Sequence, residues 1–183
     1  MPRDGLIEDV SVKPDTDIQF DKPSVDDGSD VWALVQDINA LDDNSMYCNL
    51  LQCSHFADTC VVARHEGRLV GWMSGYRPPK SPNTLFVWQV AVHPSMRGKG
   101  VAGRMIRWVL ERPWNKDVIR VQSTITRSND ASWALFRSVA DRYDADLSYD
   151  AHFEKDRHFD GEAPTEYLVT IAPLQRAVIR QAA

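Results

Sequence analysis

Arg97, Gly98, Lys99, Gly100, Val101, Ala102 and Gly103 stand together between an apolar run, "TLFVWQVAV", and a segment of helical period that starts at Val101. The first amides of a helix have no partner inside it, and with the helix dipole they form a seat for an anion. Small residues at 100 and 102 let the backbone approach a pyrophosphate closely, and Arg97 and Lys99 add positive charge beside it. The spacing is not G-x-x-x-x-G-K-[ST], which excludes a P-loop. Gly98, Gly100 and Gly103 satisfy G-x-G-x-x-G only as an isolated triplet, parted from the strand by Pro94 and charged residues, so a dinucleotide fingerprint is poorly supported.

Other residues able to do chemistry are scattered. Asp42 and Asp43 precede a helix expected to begin near Asn44 or Ser45, where a carboxylate either caps the helix or serves a site. Gln89 is the polar residue inside the apolar run; its amide can hydrogen-bond but cannot act as a base at neutral pH. Glu166 opens the last expected strand, with Glu162 nearby as a substitute. Trp88 and Tyr47 could hold a cationic amine on an aromatic face at roughly 0.5 to 2 kcal/mol, although a Trp on a central strand also reads as core. Ser128 or Asn129 reads as a helix cap. The five histidines lack i, i+4 pairing and H-E-x-x-H spacing, so no metal is expected. The cysteines, Cys48, Cys53 and Cys60, are odd in number without C-x-x-C spacing, and read as reduced buried thiols.

These residues need a scaffold, and 183 residues with 43% hydrophobic content suit one domain. Residues 1–16 are polar and aperiodic and read as a flexible tail, 17–173 as the folded domain, and 174–183 as a C-terminal extension. The expected order is strand ("DIQF"), two helices, three strands, helix, strand, helix and two strands. The first helix is expected to be capped by Ser29 or Asp30, and Glu66-Gly67 punctuates a hairpin. Such an order predicts an α/β fold on one mixed sheet, with "TLFVWQVAV" near its centre. A net charge of −5 gives no general affinity for nucleic acid or anionic membrane. The start has no apolar core of a signal peptide, and no run approaches the roughly 20 apolar residues that span a bilayer. A soluble, cytoplasmic protein is expected.

The loop resembles the acyl-CoA pyrophosphate loop of the GNAT N-acetyltransferases, whose Gln/Arg-x-x-Gly-x-Gly/Ala pattern is met by Arg97, Gly100 and Ala102, and the element order agrees across residues 18–172. The resemblance implies acetyl-CoA as donor. It also implies a splayed strand at "VWQVAV" that takes the pantetheine arm beside Val90 and Val92, and a pantetheine contact at Asn129. A finer likeness lies in "LDDNSMY", "FADTCVVA", "YRPP", "TLFVWQVAV" and "FEKDRHF", which together are similar to the L-2,4-diaminobutyrate acetyltransferases of ectoine biosynthesis. That likeness implies acetylation of the 4-amino group of L-2,4-diaminobutyrate by direct attack, in a homodimer. Asp42 and Glu166 would be the catalytic acids, with Tyr47, Trp88 and Gln89 around the acceptor and Arg77 a further candidate donor. The chain departs from the family at three places. Gln89 stands where many members carry a carboxylate, Phe136 where many carry a Tyr that protonates the leaving thiolate, and Ala163-Pro164 precede Glu166. Those departures keep two rivals open, a GNAT enzyme for another amine, such as a peptide N-terminus or an aminoglycoside, and an acyl-CoA-binding sensor.

Overall fold

In the computed structural model, residues 17–38 and 44–175 are described. Strand β2 (Val61–His65) turns into β3 (Arg68–Tyr76) through Glu66 and Gly67, both with positive φ, 50° and 76°. Two such residues in succession match the twist of an antiparallel pair, so the expected hairpin forms. β1 (Ile18–Asp21) pairs outside β2, and β4 (Thr84–Val92) pairs antiparallel with β3. After a helical crossover, β5 (Arg120–Thr126) lies parallel to β4, and β7 (Glu166–Ala172) and β6 (Asp146–Phe153) complete the sheet. The order β1-β2-β3-β4-β5-β7-β6 puts β4 fourth of seven, the central place its apolar run predicts.

β4 and β5 share a register only from Thr84–Phe86 to Arg120–Gln122. Beyond that point β5 keeps its pairing with β7, from Val121 to Thr126, while β4 keeps β3. The two strands therefore part at the centre of the sheet.

β4 also carries a bulge. Ser74 faces Gln89 and Gly75 faces Val87, so Trp88 has no opposite number on β3. One extra residue inverts the alternation of side chains. Leu85 and Val87 point into one core and, past the bulge, Val90 and Val92 pack against that same core, while Ala91 enters the other. At Gly75 a Cβ would stand 2.8 Å from the carbonyl oxygen of Phe86 and 3.1 Å from that of Thr59, so this close approach requires glycine.

Helices α1 (Gly28–Gln36) and α2 (Met46–His55) cover one face, with Val31, Leu34, Val35 and Cys53 packed among Cys60, Val62, Trp72 and Ala91. α3 (Val101–Glu111) and α4 (Asp130–Arg142) cover the other, where Met105, Val109, Phe136 and Val139 meet Leu85, Val121 and Ile171. Arg112, 6% exposed, lies over the Trp108 ring and donates to the carbonyls of Ala57, Asp58 and Cys60, pinning the end of α3 to the turn before β2. Burial pulls its pKa down to about 10, which leaves it cationic at neutral pH.

Three details differ from expectation or go beyond it. α1 begins at Gly28 with Asp27 as its cap, not Ser29 or Asp30, because a 3-10 turn over Val25–Asp27 leads straight into it. The polar loop after β6 holds a short helix, α5 (Lys155–His158). Leu174, at the start of the expected C-terminal extension, is 6% exposed in the core, and Gln175 donates its amide to the Tyr143 carbonyl at 2.8 Å.

Burial pushes the thiols of Cys53 and Cys60 up from 9.0 to about 12. A thiol whose pKa rises on folding stabilises the protein fully below its unfolded value and loses that contribution as pH climbs through the folded value. Between pH 9 and 12, unfolding free energy from denaturant titrations should therefore fall by about 1.4 kcal/mol per pH unit for each such thiol. Cys60→Ala should show a shallower decline than the parent over this window, and an unchanged slope would contradict the assignment.

Candidate active site

The chain leaves β4 through a 3-10 turn, Pro94–Met96, that His93 caps by accepting the Ser95 amide at 3.3 Å and that the buried Met96 anchors. Gly98 and Gly100 follow with φ of 76° and 69°, a region that disfavours side chains, and open space lies where each Cβ would stand. Gly100 is the N-cap of α3 and brings no side chain to cap it. The helix ladder starts with the Arg104 amide on the Gly100 carbonyl at 3.1 Å, so the amides of Val101, Ala102 and Gly103 have no partner within the helix.

A cleft of about 710 Å³ runs from this loop between α3 and α4 to the parted edge of β4. Val90 and Val92 form its strand wall, and Asn129, Ser132 and Leu135 belong to its α4 wall. Its described lining carries Arg97, Arg104, Arg107 and Arg142 and no carboxylate. Arg104 lies 4.8 Å from the Phe20 ring centre, and Arg107 is 3.6 Å from Glu111. These features suit one elongated ligand with phosphates at the helix N-terminus and a thin amide-bearing arm along the strand. Acetyl-CoA has that shape and charge, and the unpaired β5-side edge of β4 supplies backbone groups for its arm.

Val90, Val92, Arg97, Gly98, Gly100, Val101, Ala102, Gly103 and Asn129 all line this cleft. Lys99 is absent from its lining, and its ammonium lies 3.7 Å from the Met96 sulfur. Asn129 accepts the Ser132 amide at 3.0 Å, so its capping role is present as well. Gln89, 7% exposed, accepts from the Asn44 side chain at 3.3 Å. Next to it Trp88 is 49% exposed, its ring edge-on to Tyr76 at 6.3 Å, and Tyr47 on the first turn of α2 is 69% exposed. Glu166, half-buried, pairs with Thr126 and Phe153 at the open end of β5. Asp42 lies outside the described residues.

Two further residues behave differently from the roles considered for them. Arg77 donates to the carbonyls of Pro82 and Trp114 and pairs with Asp117, which commits it to tying surface loops together. Phe136, 2% exposed in the core, offers no proton. Sequence reading missed Arg104, Arg107, Ser132, Leu135, Arg142 and Tyr143 as cleft residues, although Ser132, Leu135 and Ser138 recur at the three-residue spacing of one helix face.

The acetyltransferase (GNAT) family model matches residues 30–140, from α1 through nearly all of α4, and the chain belongs to this family. Within it, the chain is 47% identical over 158 residues to the L-2,4-diaminobutyric acid acetyltransferase of Methylotuvimicrobium alcaliphilum, covering 86% of this chain and 92% of that one. To the protein of the same name from Vibrio cholerae it is 45% identical over 163 residues, 89% and 94% of the two chains. Among solved structures it matches diaminobutyrate acetyltransferase EctA from Paenibacillus lautus, in complex with its substrate L-2,4-diaminobutyric acid and coenzyme A. That match has a TM-score of 0.82 at 35% identity and covers 88% of this chain and 98% of that one. Ard1 from Thermoplasma volcanium, at 15% identity and a TM-score of 0.65, shares the fold.

The loop geometry sets an expectation for binding. Arg97→Ala should raise the KM for acetyl-CoA about tenfold, the loss of one charge-assisted contact. Gly100→Val should do the same through a φ that valine resists at about 1 to 2 kcal/mol. Steady-state kinetics with varied acetyl-CoA would check both, and an unchanged KM in the two variants would remove the loop from the donor site.

Proposed function

We propose that the protein transfers the acetyl group of acetyl-CoA to the 4-amino group of L-2,4-diaminobutyrate, a step toward ectoine. The likeness to EctA in complex with L-2,4-diaminobutyric acid and coenzyme A carries this reading, because it spans nearly the whole of both chains. The parted strands and the bare helix N-terminus fit the donor half of the same reaction.

The donor lies in the cleft with its phosphates on Arg97 and the amides of Gly98, Gly100 and Val101 to Gly103, and its arm along Val90 and Val92 with Asn129 opposite; Lys99, turned to Met96, stands outside it. Backbone amides of β4 beyond Phe86, unpaired on the β5 side, meet the thioester carbonyl and favour the charge that grows on its oxygen. The acceptor arrives from the other side of the bulge, where Trp88 and Tyr47 present aromatic faces to its cationic amines. An alkyl ammonium titrates near pH 10, so it must lose a proton before it attacks. Asp42 and Glu166 hold the acceptor and take that proton, directly or through water. Gln89 orients the acceptor as a hydrogen-bonding group and does not act as a base. Attack forms the nitrogen–carbon bond, the carbon–sulfur bond breaks, and the sulfur leaves as thiolate to be protonated from water. Burial raises the pKa of Cys48, Cys53 and Cys60, so all three are protonated at neutral pH and poor nucleophiles, which favours direct attack over an acetyl-Cys intermediate.

Mass spectrometry tests the reaction. Diaminobutyrate should gain one acetyl group, which fragmentation should place on the 4-nitrogen. Turnover in Asp42→Asn should fall at least about a hundredfold with acetyl-CoA affinity preserved. Acetyl on the 2-nitrogen, or none on this substrate, would refute the proposed reaction, and full activity in the variant would dismiss Asp42.

The family resemblance of the sequence implies a cytoplasmic homodimer, and that expectation is part of the proposal. No helix among the described residues is long and apolar enough to cross a membrane. Light scattering should report one species at twice the 20.8 kDa of the chain, and a monomer at micromolar concentration would contradict the dimer.

A further inference from the structure

A side-chain hydrogen bond ties the start of α2 to the bulge in β4. Asn44, next to the Ser45 cap, donates from Nδ2 to Gln89 Oε1 at 3.3 Å across 45 residues of sequence. Its Oδ1 accepts from the Cys48 thiol at 3.8 Å, one turn along the helix. Burial raises the Cys48 pKa, so the thiol keeps its proton and stays a donor. The two bonds orient the Asn44 amide, oxygen toward α2 and nitrogen toward the sheet.

The placement of this bond gives it a consequence for the acceptor. Gln89 faces the α1 and α2 side because the bulge at Trp88 turned it there. Its chain neighbour Trp88 is half-exposed, and Tyr47 projects from the first turn of α2, three residues after Asn44. Two further polar side chains buried on α2, Asn49 and Gln52, bond to each other at 3.2 Å. That bond lies within the helix and does not fasten it to the strand. The Ser45 cap likewise closes on α2's own Cys48 amide. The Asn44 to Gln89 contact therefore joins the element carrying Tyr47 to the strand carrying Trp88.

We propose that Asn44 is a positioning residue, which through Gln89 sets the separation of Tyr47 from Trp88 and so the width of the amine-acceptor pocket. The inference rests on the reading of those two aromatics as walls of the acceptor pocket. Neither Asn44 nor Gln89 is among the residues that line the donor cleft.

A double-mutant cycle tests it, with Asn44→Ala, Gln89→Leu and the double variant assayed by acetyl-product mass and by thermal melting. Asn44→Ala should raise the KM for diaminobutyrate about tenfold. The KM for acetyl-CoA should stay within about twofold, a split that general loosening of the fold would not produce. In the double variant the acceptor KM should be no worse than in the poorer single variant, since each substitution already removes the Asn44 to Gln89 bond. Three results would overturn the proposal: a parental acceptor KM in Asn44→Ala, both KM values rising in step, or a double variant showing the product of the single effects. If Asn44→Ala does not fold, Asn44→Leu, similar in shape and without the donor, carries the same test. Should the parent protein acetylate a different amine, the substrate assignment fails alone, and the cycle run on that amine decides the role of Asn44.

Discussion

The parting of β4 from β5 after Phe86 and Gln122 is the constraint on which the rest of the protein depends. A central strand that abandons one neighbour leaves backbone donors and acceptors without partners in the middle of a sheet, a cost that folded proteins rarely leave unmet. Several elements sustain the gap. β5 keeps its antiparallel register with β7 from Val121 to Thr126, and β4 keeps its own with β3. α3 and α4 pack on the face below, and their separation continues the gap as a cleft down to Gly100. A ligand with amides along its length and phosphates at its end answers both sets of unpaired groups at once, the strand edge and the helix N-terminus.

The bulge at Trp88 gives the gap two sides. A regular strand would place Val87, Gln89 and Ala91 on one face; the extra residue sends Val87 with Val90 and Val92 to the donor side and Gln89 with Ala91 to the other. Within five residues the same strand thus presents an apolar wall, Val90 and Val92, and a polar, aromatic stretch, Trp88 and Gln89. Gly75 makes this possible, since any side chain there would collide with the Phe86 and Thr59 carbonyls. Two reactants can then meet at the strand from opposite faces without competing for space, which is what direct transfer requires.

Features encoded by neighbouring residues were legible in the sequence. The start of α2 near Ser45, the cap of α4 at one of Ser128 and Asn129, the Glu66-Gly67 turn and the loop from Arg97 to Gly103 each depend on residue types a few positions apart, and each stands where the pattern puts it, although the side chain that caps α2 is Ser45, which was not among the cap candidates. The start of α1 was misplaced because the Ser24 to Asp27 turn carries its own capping signal just upstream. The bulge was illegible for another reason. In "TLFVWQVAV" nearly every position is apolar, so no alternation exists for an inserted residue to disturb. Asn44 bonding Gln89, and Arg142 reaching the cleft, are long-range facts that single-sequence periodicity does not carry, and the parting of the strands was readable only through family resemblance.

Charge completes the division of labour. The chain as a whole carries −5, a field that by itself repels a polyanionic donor, yet the described cleft lining gathers four arginines and no acid. Attraction at such a site is local, because beyond roughly 8 Å at physiological salt the surrounding charges are largely screened. An amine acceptor is a cation and benefits from the opposite arrangement, an acidic protein with the exposed aromatic ring of Trp88 beside Gln89 on the same strand. One uniformly basic surface would hold the donor and repel the acceptor. In the proposed reaction, approach of donor and acceptor from either side of a single bulged strand removes that conflict, and the parted backbone that makes room for the donor is the same one.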